Sequence, residues 1–107
     1  MSSIFTDIQR LVQLGDVRIS NHGYDELAED GIFVKDIIES ISDAILVEDY
    51  PDYPKGACVL VLQKLSNGDL IHTVWGIPKG MASPAVLITA YRPDPLRWED
   101  GFMRRKK

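Results

Sequence analysis

A turn signal between two apolar runs limits the possible folds of this chain more than any other feature. Ser66-Asn67-Gly68-Asp69 separates residues 57–65 from residues 70–77. Asn-Gly tolerates the positive φ angles that a type I′ turn requires, so the two runs are predicted to pair as an antiparallel hairpin. Because residues 57–65 are apolar at odd and even positions alike, they are predicted to form a central strand.

Two further segments are predicted to complete the sheet. Residues 44–50 contain an apolar run, and residues 85–91 are apolar until a proline turn follows at Pro93. Alternation within residues 70–77 separates two sets that face opposite sides of the strand. These sets are Ile71, Thr73, Trp75 and Ile77 on one face, and Leu70, His72 and Val74 on the other.

The first part of the chain has helical periodicity instead. Apolar residues recur three and four apart within residues 3–14, which predicts an amphipathic helix that ends at Gly15. Ser20 or Asn21 can cap a second helix that runs through about Asp30. A third helix is predicted near residues 33–42 from the spacing of Val34, Ile37, Ile38 and Ile41.

These elements predict one α+β domain, with three N-terminal helices packed on one face of a four-stranded antiparallel meander. The chain has 107 residues, which suits a single hydrophobic core. We expect the domain to span residues 1–103 and the basic residues 104–107 to form a disordered tail. The alternative is that this tail is an arm for an anionic partner.

Charge is distributed unevenly along the chain. The net charge is -4, but residues 1–50 hold eleven acidic residues against three basic ones. The remaining residues hold nine basic residues against five acidic ones. The first half should therefore repel phosphate, and only the second half could face it.

Other classes of protein are disfavoured by composition. No apolar run is long enough to span a membrane. The first residues lack the basic region of a secretory signal, so we expect a cytoplasmic protein. Cys58 is the one cysteine and lies in an apolar run, where a buried core residue is favoured over a nucleophile. The two histidines and this cysteine lack metal-ligand spacing, so we expect neither a metal nor a cofactor.

Two histidines are the candidates for acid–base chemistry. His22 lies in the first turn of the second helix, where the helix dipole favours the neutral imidazole that a general base requires. The alternative is a capping or packing residue. If the helices cover the Trp75 face, His72 lies on the open face of the sheet, in a position to form a site. The alternative is a half-exposed strand residue.

Further candidates lie at strand ends and in loops. Arg92 follows Tyr91 and can bind phosphate bidentately, or it can pair with Asp94 or with an acid of the helical half. Lys64, Lys79 and Tyr50 are candidate binding residues, with ordinary surface or loop-anchoring roles as the alternative. Trp98 is expected to pack back onto the sheet.

The chain resembles a known family in several motifs. These are Ile19-Ser20-Asn21-His22, Asp30-Gly31-Ile32, Asp36-Ile37-Ile38, Glu48-Asp49-Tyr50-Pro51 and Thr89-Ala90-Tyr91-Arg92-Pro93-Asp94-Pro95 with Trp98. Over roughly residues 17–98 the chain looks like the bacterial domain of unknown function 4258. That family is similar to the RelE/ParE and BrnT-type toxins, and more broadly to barnase, EndoU and colicin nucleases.

The resemblance implies helices packed on an antiparallel sheet and a metal-free ribonuclease site. His22 matches the family's helix histidine, Tyr91 matches its strand-end tyrosine, and Arg92 stands where the family often has a polar or basic residue. Members often carry arginine four residues after the helix histidine, where this chain has Glu26.

Two functional hypotheses follow. In the first, the domain is a toxin-related module that binds protein or RNA without strong catalysis, with an antitoxin-like peptide added to the sheet as a strand. In the second, it is a metal-independent endoribonuclease. There His22 and His72 would exchange protons, and Arg92 with Lys64 would stabilise the phosphate.

Overall fold

The computed structural model describes residues 3–107 and confirms the three predicted helices. They are α1 (Ser3–Gln13), α2 (Asn21–Glu29) and α3 (Val34–Ser40), and a single 3₁₀ turn follows at Ile41–Asp43. α2 begins where predicted because the Ser20 hydroxyl accepts a hydrogen bond from the backbone N–H of Gly23 at 2.9 Å. No helix within these residues has the length and apolar character needed to cross a membrane.

The sheet has five strands rather than four. They are β1 (Val17–Ile19), β2 (Ile45–Tyr50), β3 (Cys58–Lys64), β4 (Leu70–Gly76) and β5 (Ala85–Tyr91). The spatial order is β1-β5-β4-β3-β2, so β2 to β5 form the predicted antiparallel meander. The additional strand β1 pairs in parallel with the first half of β5. A strand of three residues is too short to show a period-two pattern, which is why the sequence gives no sign of it.

The β3–β4 turn occurs where predicted but has a different geometry. Gly68 has a φ angle of 94°, and Asn67 is not among the residues with positive φ. The backbone N–H of Gly68 donates to Leu65, and that of Leu65 donates to Asp69, each at 2.9 Å. The connection is thus a turn closed by one left-handed glycine rather than a type I′ turn, which needs two such residues.

The three helices contribute apolar side chains to the core on the face of the sheet that carries Trp75. Trp75 is fully buried in a core formed with apolar residues from all three helices. A buried amide, Gln63, joins the layers: its Oε1 accepts from the Trp75 indole N–H at 2.9 Å, and its Nε2 donates to the Ile37 carbonyl at 2.7 Å. Since an unpaired indole N–H would be costly here, Gln63 fixes α3 against the sheet.

The opposite face is partly covered by the C-terminal residues, which corrects the expectation of an open face. Strands β6 (Trp98–Glu99) and β7 (Arg104–Arg105) form a second, two-stranded antiparallel sheet. Trp98 packs back onto the main sheet, as expected. We name residues 98–105 the C-terminal hairpin. The expectation of a disordered tail therefore does not hold for Arg104 and Arg105, because they form β7.

Candidate functional site

His72 lies beneath the C-terminal hairpin and has no exposed surface. Its ring centroid is 4.4 Å from that of Trp98, and the two rings meet edge to face. The Nε2 atom lies 2.8 Å from the Phe102 carbonyl oxygen, and Nδ1 lies 3.2 Å from the Tyr91 hydroxyl. The sequence correctly placed His72 and Trp75 on opposite faces of β4. The predicted position of His72 on an open face is wrong, because Trp98 and Phe102 fold back over it.

The contacts of His72 favour a neutral ring. A carbonyl oxygen only accepts, so Nε2–H donates to Phe102, which leaves Nδ1 to accept from the Tyr91 hydroxyl. Burial lowers the pKa of His72, while the Phe102 hydrogen bond and the charge of Glu48 act in the opposite direction. Burial also raises the pKa of the Tyr91 hydroxyl. The pair is therefore suited to a structural hydrogen bond rather than to proton transfer with a substrate.

An ion pair fastens the C-terminal hairpin to β2. The Arg105 guanidinium donates to both carboxylate oxygens of Glu48, each at 3.0 Å, and it lies 4.7 Å from the centre of the Trp98 ring. The hydrogen bond from Arg105 lowers the pKa of Glu48. The hydroxyl of Tyr50, one of the candidate binding residues, donates a hydrogen bond to the same carboxylate. Tyr50 therefore belongs to this attachment as well as to the edge of the sheet.

His22 lies at the edge of the sheet, in a separate polar cluster. Its side chain is 70% exposed, and Nε2 lies 2.6 Å from Oε1 of Glu26. The same carboxylate oxygen accepts a hydrogen bond from the Thr89 hydroxyl on β5. Glu26 thus orients the imidazole and ties α2 to β5. Glu26, four residues after His22, therefore has an anchoring role.

Arg92 forms an ion pair rather than presenting a free guanidinium. Nη1 lies 2.7 Å from Oδ2 of Asp69, and Nη2 donates to the Asp30 carbonyl at 3.3 Å. The expected partners, Asp94 or an acid of the helical half, are thus replaced by the turn acid Asp69. Lys64 at the end of β3 and Lys79 in the β4–β5 loop are both exposed. Within residues 3–107, neither forms a hydrogen bond or ion pair with a histidine.

Some of the candidate residues share a small cleft of about 280 Å³. Tyr91, Arg92, Arg97 and Arg105 line it together with Trp98 and Asp94. Each of the three guanidinium groups is paired with a carboxylate, on Asp69, Asp94 and Glu48 respectively. The structure therefore brings Tyr91 together with His72 and with Arg92. It shows no contact between His22 and any of these within residues 3–107.

A second cleft, which the sequence analysis missed, lies on the part of the sheet that the hairpin leaves uncovered. Its volume is about 630 Å³, and Val86 and Ile88 of β5 contribute apolar surface. Polar and aromatic groups come from two segments that are distant in sequence, Arg18 and Asn21 in the first and Tyr53 and Lys55 in the second. We name it the β1 cleft. Residues so distant in sequence form no local motif, and they meet through the successive pairings of β1 with β5, β5 with β4 and β4 with β3.

Metal and thiol chemistry have little support. Among residues 3–107 no group of three or more His, Cys, Asp or Glu side chains is placed to hold a metal ion. Cys58 is buried, as expected, and burial raises the pKa of its thiol. A buried thiol with a raised pKa is a poor nucleophile.

The fold and these clusters define a small α+β domain with an exposed histidine–carboxylate pair and a buried histidine. Residues 19–92 match the family described as Domain of unknown function (DUF4258), and the chain belongs to this family. The match spans α2 to the end of β5, so the C-terminal hairpin lies outside it. No curated protein matches the chain, and no solved structure does.

Proposed function

We propose that this domain is a toxin-related binding module without strong catalysis, and that it engages a protein partner. The observation that carries the proposal is the burial of His72, whose two ring nitrogens are occupied by Tyr91 and Phe102. Cleavage of RNA without metal needs a second proton-transfer group beside the first. His22 has only Glu26 beside it, whose carboxylate is already engaged by Thr89 and the imidazole, and whose charge repels a phosphate.

The edge strand β2 supports a partner of peptide type. Within residues 3–107, β2 pairs with β3 alone, so its outer edge presents backbone groups that another strand can bind. Ile45 at its start is 53% exposed. Asp43, Asp49 and Asp52 lie on or beside the strand. An antitoxin-like segment with basic residues, added as a strand, complements both the edge and its charge.

The test is co-purification of a tagged chain expressed at native level. We expect one protein at near-stoichiometric amount. Ile45→Lys should abolish the complex, because it places a cation and removes apolar surface at the start of β2. Leu96→Lys is the matched control, since Leu96 is 81% exposed and lies outside the main sheet. A complex that survives Ile45→Lys, or the absence of any stoichiometric partner, contradicts the proposal.

A metal-independent endoribonuclease is the second candidate, and the His22–Glu26 contact is the observation that favours it. A carboxylate at 2.6 Å can hold an exposed imidazole in the orientation of a general base. The test is incubation of RNA with the purified protein and a metal chelator. Under the first proposal RNA stays intact. Cleavage that disappears in His22→Ala and persists in Lys106→Gln would establish the enzyme instead.

A further inference from the structure

The β1 cleft contains unpaired positive charge. Five of the six arginines lie within 4.0 Å of a carboxylate, and Arg18 is the exception among the described residues. Lys55, which also lines the cleft, forms no ion pair within residues 3–107. No Asp or Glu lines the cleft. In a chain with a net charge of -4, two unpaired cations at one cleft provide a local site for an anion.

The other residues that line the β1 cleft suit a flat, apolar part of a ligand. Tyr53 is 51% exposed, and Ile88 is 38% exposed on the sheet. Both therefore leave apolar surface in contact with solvent at a cleft of about 630 Å³, a size typical of small-molecule sites. An aromatic ring at the rim can stack on a planar base. Asn21 supplies an amide that can both donate and accept hydrogen bonds.

The loop that carries Tyr53 and Lys55 is held close to the end of β4. Gly56 has a φ angle of 129°, and a Cβ atom there would lie 2.3 Å from the Ile77 carbonyl oxygen. The backbone N–H of Gly56 donates to Tyr53 at 3.0 Å, and that of Ile77 donates to Ala57 at 3.1 Å. Only glycine permits this approach. The backbone that carries Tyr53 and Lys55 is thereby fixed beside the cleft.

We propose that the β1 cleft binds a free nucleoside monophosphate. Arg18 and Lys55 bind the phosphate, Tyr53 stacks on the base, and Ile88 lies beneath it. A longer RNA strand fits less well, because α2 begins beside the cleft and carries Asp25, Glu26 and Glu29. The proposal is independent of the partner site on β2, so the failure of one leaves the other standing.

The experiment is calorimetric titration of the full chain with AMP, alongside adenosine, inorganic phosphate and a 5′-phosphorylated oligoribonucleotide. We expect saturable one-site binding of AMP, with adenosine and phosphate each weaker by about tenfold or more. Arg18→Gln and Lys55→Gln should each weaken the binding of AMP by about tenfold. Tyr53→Leu should weaken it by about fivefold or more. Lys106→Gln removes the same charge outside the cleft and should leave the affinity unchanged.

Several outcomes overturn the proposal. These are the absence of saturable AMP binding, equal binding of inorganic phosphate, equal losses in Lys106→Gln, or tighter binding of the oligonucleotide, which would indicate an RNA end as the ligand. Thermal unfolding of each variant identifies any that fail to fold. NMR shifts of the Ile88 methyl groups on addition of AMP then provide a second reading on the unmodified chain, and an unmoved signal contradicts binding in this cleft.

Discussion

At the scale of single residues, the two histidines have opposite environments. The side chain of His22 is 70% exposed and contacts one carboxylate, whereas His72 is fully buried with a partner on each ring nitrogen. Exposed ion pairs contribute little to stability, while removal of a buried hydrogen-bonded ring leaves both a cavity and unpaired polar groups. The same residue type thus serves a surface cluster at one position and the core at the other.

Substitution of each histidine should separate these roles. We expect His72→Ala to lower the free energy of unfolding by about 3 kcal/mol. We expect His22→Ala to lower it by less than about 1 kcal/mol. Urea unfolding followed by far-UV circular dichroism measures both. Equal effects of the two substitutions would contradict the burial of His72.

The stability of the domain should also depend on pH through His72. Because its pKa is lowered in the folded state, the unfolded chain binds the proton first as pH falls. The stability that the neutral His72 ring contributes is complete above the ordinary histidine pKa of about 6.5. It is lost progressively as the pH falls below that value. Glu48 and Arg105 face the same region, and Glu48 titrates at lower pH because Arg105 lowers its pKa.

The measurement is the urea concentration at the midpoint of unfolding, determined at several pH values between about 8 and 5. We expect the midpoint to fall through this range. In His72→Phe the fall should be smaller, whatever the absolute stability of that variant, and in His22→Ala it should persist. An unchanged slope in His72→Phe would assign the pH dependence to other groups.

At the scale of secondary-structure elements, the C-terminal hairpin is attached by both packing and charge. Trp98 is 6% exposed over His72, whereas the Arg105 side chain is 60% exposed in its pair with Glu48. Solvent screens the exposed pair, so its net contribution is about 0–1 kcal/mol despite good geometry. Burial of the indole contributes more. Packing rather than charge therefore holds this element in place.

Two substitutions test that ranking. Trp98→Ala should destabilise the domain by about 3–5 kcal/mol and Arg105→Met by about 1 kcal/mol or less. Hydrogen exchange of β4 amides, together with urea unfolding, reports both effects. Should Arg105→Met cost as much as Trp98→Ala, the ion pair would be the principal attachment.

At the scale of the whole molecule, the acidic half of the chain dominates its surface chemistry. Eleven acidic residues fall within residues 1–50, and the arginines near Tyr91 are neutralised by ion pairs. Non-specific RNA binding depends on free cations along the backbone of the strand. We therefore expect the domain to avoid long nucleic acids.

A filter-binding assay with unstructured RNA at physiological salt measures this. The expected dissociation constant is weaker than about 10⁻⁴ M, the weak end of ordinary non-specific binding. Glu26→Arg, which replaces the anion beside His22 by a cation, should strengthen binding. Micromolar binding by the unmodified chain would show that the acidic half does not govern the surface.

The sequence predicts the elements of this fold better than their contacts. The spacing of Trp75 and His72 assigned the two faces of β4 correctly, and Asn67-Gly68 located the turn. The packing of Trp98 onto the sheet was predicted, but the position of the C-terminal hairpin over His72 was not. The position of the hairpin depends on positive φ angles of 53° at Asp100 and 70° at Phe102. Non-glycine residues rarely adopt such angles, and the local sequence does not indicate them. The β1 cleft was missed because its cations come from distant segments.

The parallel pairing of β1 with β5 has a consequence for how the chain folds during synthesis. Val17 pairs with Ala85, so β1 leaves the ribosome long before its neighbour exists. Contacts between such distant residues form late, because a long loop must close first. We expect the β2–β4 meander to form as an early intermediate with β1 unattached. Pulse-labelled hydrogen exchange during refolding should protect β3 and β4 amides first, and simultaneous protection of β1 would instead indicate a single concerted step.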